Sequence, residues 1–151
     1  MDAEDFVVPA LVTLDDPPAE RRACIDFLLD LAVDAGRVTD RAAARDALLE
    51  RESVSPTGLG HGVALPHART EAVTAPTVAF ARSDRGVDFD APDGEPATLL
   101  VCLLAPADAD EDHLAVLSRL SRSLADSAFR TRLAEASSER AVVNALREAV
   151  A

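Results

Sequence analysis

The sequence has no lysine, tryptophan or tyrosine, a single methionine, and only two cysteines among 151 residues. Cys24 and Cys102 alone support neither a disulfide framework nor a cysteine-ligated zinc site. Each lies in an apolar segment, where a free thiol behaves as a small buried hydrophobe. No hydrophobic run is long enough to cross a bilayer: the most apolar uncharged stretch, Pro96 to Ala107, is a dozen residues, against the roughly 20 that a spanning helix requires. The opening Met-Asp-Ala-Glu-Asp lacks the basic and then apolar pattern of a secretory signal, so a cytoplasmic protein is expected. An excess of positive charge is missing as well. The net charge of -12 repels phosphate backbones and anionic lipid surfaces, which argues against nucleic-acid and membrane partners.

What the chain does contain is ordinary for a globular protein, with 48% apolar and 28% charged residues. Its length suits one domain over residues 1–151, and neither internal repeats nor a linker interrupts it. All 15 basic residues are arginine and aspartate outnumbers glutamate 17 to 10, a bias that points to a high-salt cytoplasm.

Hydrophobic spacing predicts a short first strand over Leu11 to Leu14. A helix opened by Asp16-Pro17-Pro18 follows to about Ala35, with Gly36 as its stop. Cys24, Phe27, Leu28, Leu31, Ala32 and Ala35 recur at helical spacing as its inward face. Thr39 can cap a second helix through about Glu50. Thr77 to Ser83 and the apolar run Thr98 to Leu104 read as strands, with a turn at Ala91-Pro92-Asp93-Gly94 that makes Val87 to Leu104 hairpin-like. Beyond them come a helix from Asp110 to about Asp126 carrying Leu114, Leu117, Leu120 and Leu124, a further turn near Ser127, and a last helix capped by Ser138. That last helix would turn Val142, Ala145, Leu146 and Ala149 inward. The expected fold is α/β, a mixed central β-sheet covered by helices on both faces in a single domain.

The chemistry concentrates in Arg51-Glu-Ser-Val-Ser-Pro-Thr57-Gly58-Leu-Gly60-His61-Gly62-Val-Ala-Leu-Pro66-His67-Ala68-Arg69. Three glycines in five positions shape a special loop, Val63 to Leu65 form a short apolar strand, and Pro66 defines where His67 projects. An imidazole at a strand exit is a natural nucleophile or acid-base group, although a satisfied surface histidine fits the same local pattern. A nucleotide loop is excluded, for there is neither a Gly-Lys-Ser/Thr ending nor a Gly-x-Gly-x-x-Gly opening a helix. His113 falls in the first turn of the Asp110 helix, where backbone amides and the macrodipole favour an anion such as phosphate; a helix-surface histidine is the alternative.

Taken together, Arg51-Glu52, Ser55-x-Thr57-Gly58-x-Gly60-x-Gly62-x-Ala64-x-Pro66-His67 and the downstream His113-Leu114-x-x-Leu117-x-x-Leu120 closely resemble the type-2 enzyme IIA domains of the phosphoenolpyruvate-dependent sugar phosphotransferase system. The resemblance spans nearly the whole chain. It implies a histidine phosphocarrier in which His67 accepts a phosphoryl group from the carrier protein HPr and passes it to a IIB component, with no diffusible cofactor. Arg51 would counter phosphate charge and His113 would position the phosphohistidine. Fructose uptake is the branch the overall pattern resembles most, with a nitrogen-type regulatory role as the other. His61 departs from the pattern, standing where an asparagine or another polar residue is expected. It opens a second reading, a zinc site of His61, His67 and His113. Arg69 could touch phosphate or a partner, or simply be exposed. An apolar patch around His67 would dock HPr.

The composition yields a first test. Self-repulsion among excess acids eases as salt screens it, so the thermal midpoint should rise between dilute buffer and molar potassium chloride. Maximal stability in dilute buffer would refute the high-salt reading.

Overall fold

A computed structural model describes residues 2–151. Five strands, β1 (Gly58–Gly60), β2 (Val63–Ala64), β3 (His67–Thr70), β4 (Thr77–Val87) and β5 (Ala97–Pro106), form one mixed sheet. Five helices surround it: α1 (Arg21–Asp34), α2 (Arg41–Val54), α3 (Glu111–Leu124), α4 (Ser127–Ala134) and α5 (Glu139–Val150). Two short 3-10 turns, Ala3–Phe6 and Pro9–Leu11, precede them.

β5 organises the sheet. β4 runs antiparallel along one edge, from Thr77 opposite Leu104 to Val87 opposite Ala97. The other edge is shared by β2 and β3, both parallel to β5, with Val63 opposite Leu99 and His67 opposite Leu103. The two short strands therefore keep one register and are parted only by Leu65 and Pro66, the latter having no N–H to give a ladder. β1 pairs antiparallel with β2, Gly58 opposite Ala64. A Cβ at Gly58 would lie 2.8 Å from the Phe89 carbonyl oxygen, so this close approach requires glycine.

Side-chain alternation divides the interior into two cores, as expected for a sheet covered on both faces. Ala64, Ala68, Ala79, Ala81, Leu100, Cys102 and Leu104 face α1 and α2. Val63, Leu65, Val78, Phe80, Leu99, Val101 and Leu103 face α3, α4 and α5. Both cysteines are fully buried, which pushes their thiols up to about 12 and keeps them protonated.

Several boundaries differ from the sequence reading. Leu11 to Leu14 is not a strand; only Val12 makes a bridge, to Phe80, because Pro9 opens a 3-10 turn through Leu11. α1 begins at Arg21 rather than at the prolines, since the Glu20 carboxylate accepts from Ala23 N–H and is the effective cap. Its buried stripe includes Ile25 and Leu29, while Phe27, Leu31 and Ala35 are half-buried. Asp40, not Thr39, caps α2; the Thr39 hydroxyl donates to the Ala72 carbonyl instead. α2 runs on to Val54, one turn past Glu50, which carries Arg51 in its last turn. The β4–β5 hairpin is longer than Val87 to Leu104, and its connection contains the expected turn, closed by Gly94 N–H donating to Ala91 O. Ala149 is only half-buried, with Val143 and Val150 inward in its place.

The completely buried Phe80 lies at the centre of the core beneath α3 to α5, whereas Phe129 lies half-exposed at its rim. Phe80→Ala should cost about 3–5 kcal/mol in denaturant unfolding, and Phe129→Ala distinctly less. Equal costs would contradict this burial.

Candidate functional site

A cleft of about 470 Å³ opens at β3, between the end of α2 and the start of α3. Among the residues lining it are Arg51, His67, Arg69, His113, Leu114 and Leu117. Thus three residues singled out in the sequence, Arg51, His67 and His113, share one cavity although they come from two opposite helical layers and the sheet between them.

His67 does not trail from a strand end; it opens β3, directly after the lapse at Leu65 and Pro66. Leu103 N–H donates to Pro66 O at 3.0 Å, holding the approach to His67 against β5. The ring Nδ1 lies 2.7 Å from the Leu65 carbonyl oxygen. A carbonyl can only accept, so the proton is on Nδ1 and Nε2 keeps its lone pair. Burial pushes the His67 imidazole below its ordinary value, and the Arg51 cation acts in the same direction. The Leu65 contact and the Glu52 carboxylate pull the other way. The net effect is a neutral ring with an available nitrogen at neutral pH.

Arg51 occupies the last turn of α2, where a cation complements the free carbonyls. One of its guanidinium nitrogens donates to Ser55 O at 2.9 Å, leaving other donors of the fork for the cleft. His113 stands in the first turn of α3, packed edge-on against Phe6 at 5.7 Å between ring centroids. The Asp110 carboxylate accepts from His113 N–H at 2.9 Å. That amide is therefore taken by the cap of its own helix, and α3 brings the His113, Leu114 and Leu117 side chains to the cleft. Arg69 lines the cleft but donates to Ala107 O at 2.7 Å.

His61 is elsewhere. It is exposed in the β1–β2 turn, at φ +56°, and its N–H donates to Asp93 at 2.8 Å. Four residues of β5 separate the levels of Val63 and His67, about 13 Å along a strand. The three histidines do not converge, and no group of three or more His, Cys, Asp or Glu able to hold a metal occurs among the described residues.

Two things went unassigned in the sequence, the contacts of Glu52 and the side chains that form the expected apolar patch. Glu52 is 8% exposed and accepts from the Thr57 N–H at 2.7 Å and from the Thr57 hydroxyl. The available signal was an acid in the last turn of a helix, where the macrodipole disfavours it. The second is the apolar rim. Val54 is 77% and Leu114 40% exposed, so these large side chains face solvent at the cleft mouth. Of the leucines that the helix carries at this spacing, Leu120 and Leu124 join Val116 in the core, Leu117 is half-buried against that core while also lining the cleft, and Leu114 is left to the cleft.

A family model described as "Phosphoenolpyruvate-dependent sugar phosphotransferase system, EIIA 2" matches residues 6–149. The chain belongs to this family. Among IIA relatives, the fructose-specific EIIA component of Haloferax volcanii is 57% identical over 93% of this chain and 91% of its own. The nitrogen regulatory protein IIA-Ntr of Neisseria meningitidis superposes with a TM-score of 0.86 at 33% identity, covering 95% of this chain and 97% of that one. Enzyme IIAMtl of Escherichia coli, solved in complex with phosphorylated enzyme IIBMtl, superposes with a TM-score of 0.76 at 26% identity, covering 92% and 95%. No helix of this IIA chain is long and apolar enough to cross a membrane.

The electrostatics of the IIA cleft can be read by titration. His67 should titrate below about 6.5 by NMR. Because the Arg51 cation disfavours the imidazolium, Arg51→Gln should raise that midpoint. A midpoint that stays put or falls in the variant would contradict this coupling.

Proposed function

We propose that the chain is a histidine phosphocarrier of the sugar phosphotransferase system, with the Nε2 of His67 as the acceptor of a phosphoryl group from phospho-HPr and a IIB component as its recipient. The observation that carries this reading is the Nδ1 to Leu65 carbonyl contact, which leaves Nε2 unprotonated in a cleft shared with Arg51 and His113.

In this mechanism the Nε2 lone pair attacks phosphorus, one P–N bond forms and the donor's P–N bond breaks. The Nδ1 proton stays against the Leu65 carbonyl, which offsets the positive charge growing on the ring. Such transfers need alignment and charge stabilisation more than covalent assistance. The guanidinium fork of Arg51 would meet the equatorial phosphoryl oxygens, and His113 would hold the phosphohistidine in position for the onward step. Val54 and Leu114 give a protein partner an apolar rim around the reacting nitrogen. The domain assignment is one IIA unit over residues 1–151, working in the cytoplasm without a diffusible cofactor.

Fructose is the favoured sugar, on the strength of the Haloferax volcanii relative. The likeness to IIA-Ntr favours a second role, in which phosphorylation state controls binding to a target protein. A neighbouring set of HPr, IIB and IIC genes supports uptake, and a nitrogen-regulation neighbourhood supports signalling.

Incubation with enzyme I, HPr and labelled phosphoenolpyruvate in high salt tests the assignment. Wild type should take up acid-labile label and His67→Ala none. His113→Ala should keep its label while onward transfer slows by about 100-fold, the scale expected of lost positioning. Label retained in His67→Ala, or absent from folded wild type with active partners, would overturn the reading.

A further inference from the structure

Thr57 and Leu65 are the next residues beyond the Gly58 and Ala64 pair of the β1–β2 ladder. Leu65 N–H donates to Thr57 O at 3.0 Å. In a regular antiparallel ladder such a pair exchanges both bonds, so Thr57 N–H would donate back to Leu65 O. Here it does not. Thr57 N–H donates to the Glu52 carboxylate at 2.7 Å, the Thr57 hydroxyl donates to the other carboxylate oxygen, and Leu65 O receives His67 Nδ1–H at 2.7 Å. Glu52 and Thr57 are nearly inaccessible to water, so solvent does not satisfy these groups instead.

We propose that Glu52 is a positioning residue for phosphoryl acceptance: by capturing the N–H that the ladder would return to Leu65, it reserves the Leu65 carbonyl for His67 and so fixes the tautomer with a free Nε2. A carbonyl oxygen has two lone pairs, but a second donor weakens and redirects the bond to the first, so Thr57 N–H and His67 Nδ1–H would compete for Leu65 O. Without the carboxylate, Thr57 N–H is left unpaired in a dry site, and Leu65 O is the acceptor that strand geometry presents to it. The His67 proton is then free to move to Nε2, which would block attack on phosphorus. The choice of tautomer is a large lever wherever a histidine must present one nitrogen.

This inference rests on His67 being the acceptor, but its test reads the ring directly. In wild type at a pH where His67 is neutral, ¹⁵N NMR should show Nδ1 as the protonated nitrogen and Nε2 as the bare one. Glu52→Ala should shift population toward the Nε2–H form and slow acceptance from phospho-HPr by about tenfold or more. Glu52→Gln keeps the reach to Thr57 without the charge and should restore the wild-type tautomer. Glu52→Asp keeps the charge but withdraws it by one methylene and should fail to restore it. Should Glu52→Ala not fold, the Gln and Asp pair decides the matter. Wild-type ring shifts in the Asp variant, or rescue by Asp and not by Gln, would overturn the proposal and make the residue's effect electrostatic. Should wild type take no label from HPr, the phosphocarrier reading fails, while the ring shifts still decide whether Glu52 sets the tautomer.

Discussion

The site depends on β5 having partners on both edges. With β4 occupying one side, the remaining edge is filled by β2 and β3 in a single register, and the lapse between them falls on Leu65 and Pro66. Pro66 cannot donate to β5, but its carbonyl is still held by Leu103, so the backbone there is fixed without being a continuous strand. With the backbone held in this way, the Leu65 carbonyl, on the β1 side of the chain, meets a side chain two residues on. In an unbroken ladder the polar groups of Leu65 would be spent on strand pairing, and His67 would have no backbone acceptor beside it.

The two faces of the sheet differ in bulk. Ala64, Ala68, Ala79 and Ala81 present small side chains to α1 and α2, whereas Val78, Phe80, Val101 and Leu103 present larger ones to α3 through α5. Small residues allow the first pair of helices to lie close to the strands, which brings the end of α2, with Arg51 and Glu52, to the backbone around His67. The bulkier face is matched by Val116, Leu120 and Leu124 of α3 and by the inward side of α5. Burying such side chains is worth roughly 1.5–3 kcal/mol each, so the position of α3, and of His113 with it, rests on many independent contacts.

Much of this was legible in the sequence where a local cause was enough. Four of the helices, the two long strands and the turn at Ala91 to Gly94 follow from periodicity and turn chemistry, whereas α4 was read only as a turn near Ser127; the two histidines that share the cleft stood out by residue type, and Arg51 through the family resemblance. The missing parts were those decided by partners far along the chain. β3 is too short and too polar to announce itself, being a strand only because β5 accepts it. Val12 keeps a single bridge where a strand was expected, because the 3-10 turn before it redirects the chain. Leu114 and Leu117 fit the helical stripe equally well as core or rim, and only the position of the cleft separates these. Glu52 was visible as part of the motif, yet its pairing with Thr57, and the pairing of Leu65 O with the His67 ring, depend on contacts that no one-dimensional pattern displays.

The cleft's two walls belong to different cores. One wall, from α2, shares its support with the loop that orients the His67 ring. The other, from α3, is supported on the far side of the sheet and contributes a histidine and the exposed Leu114. A change at Leu114 on the second wall therefore leaves the contacts around the His67 ring undisturbed. A scaffold divided in this way carries its exposed apolar rim on both walls, Val54 on one and Leu114 on the other, and each can vary against a separate core.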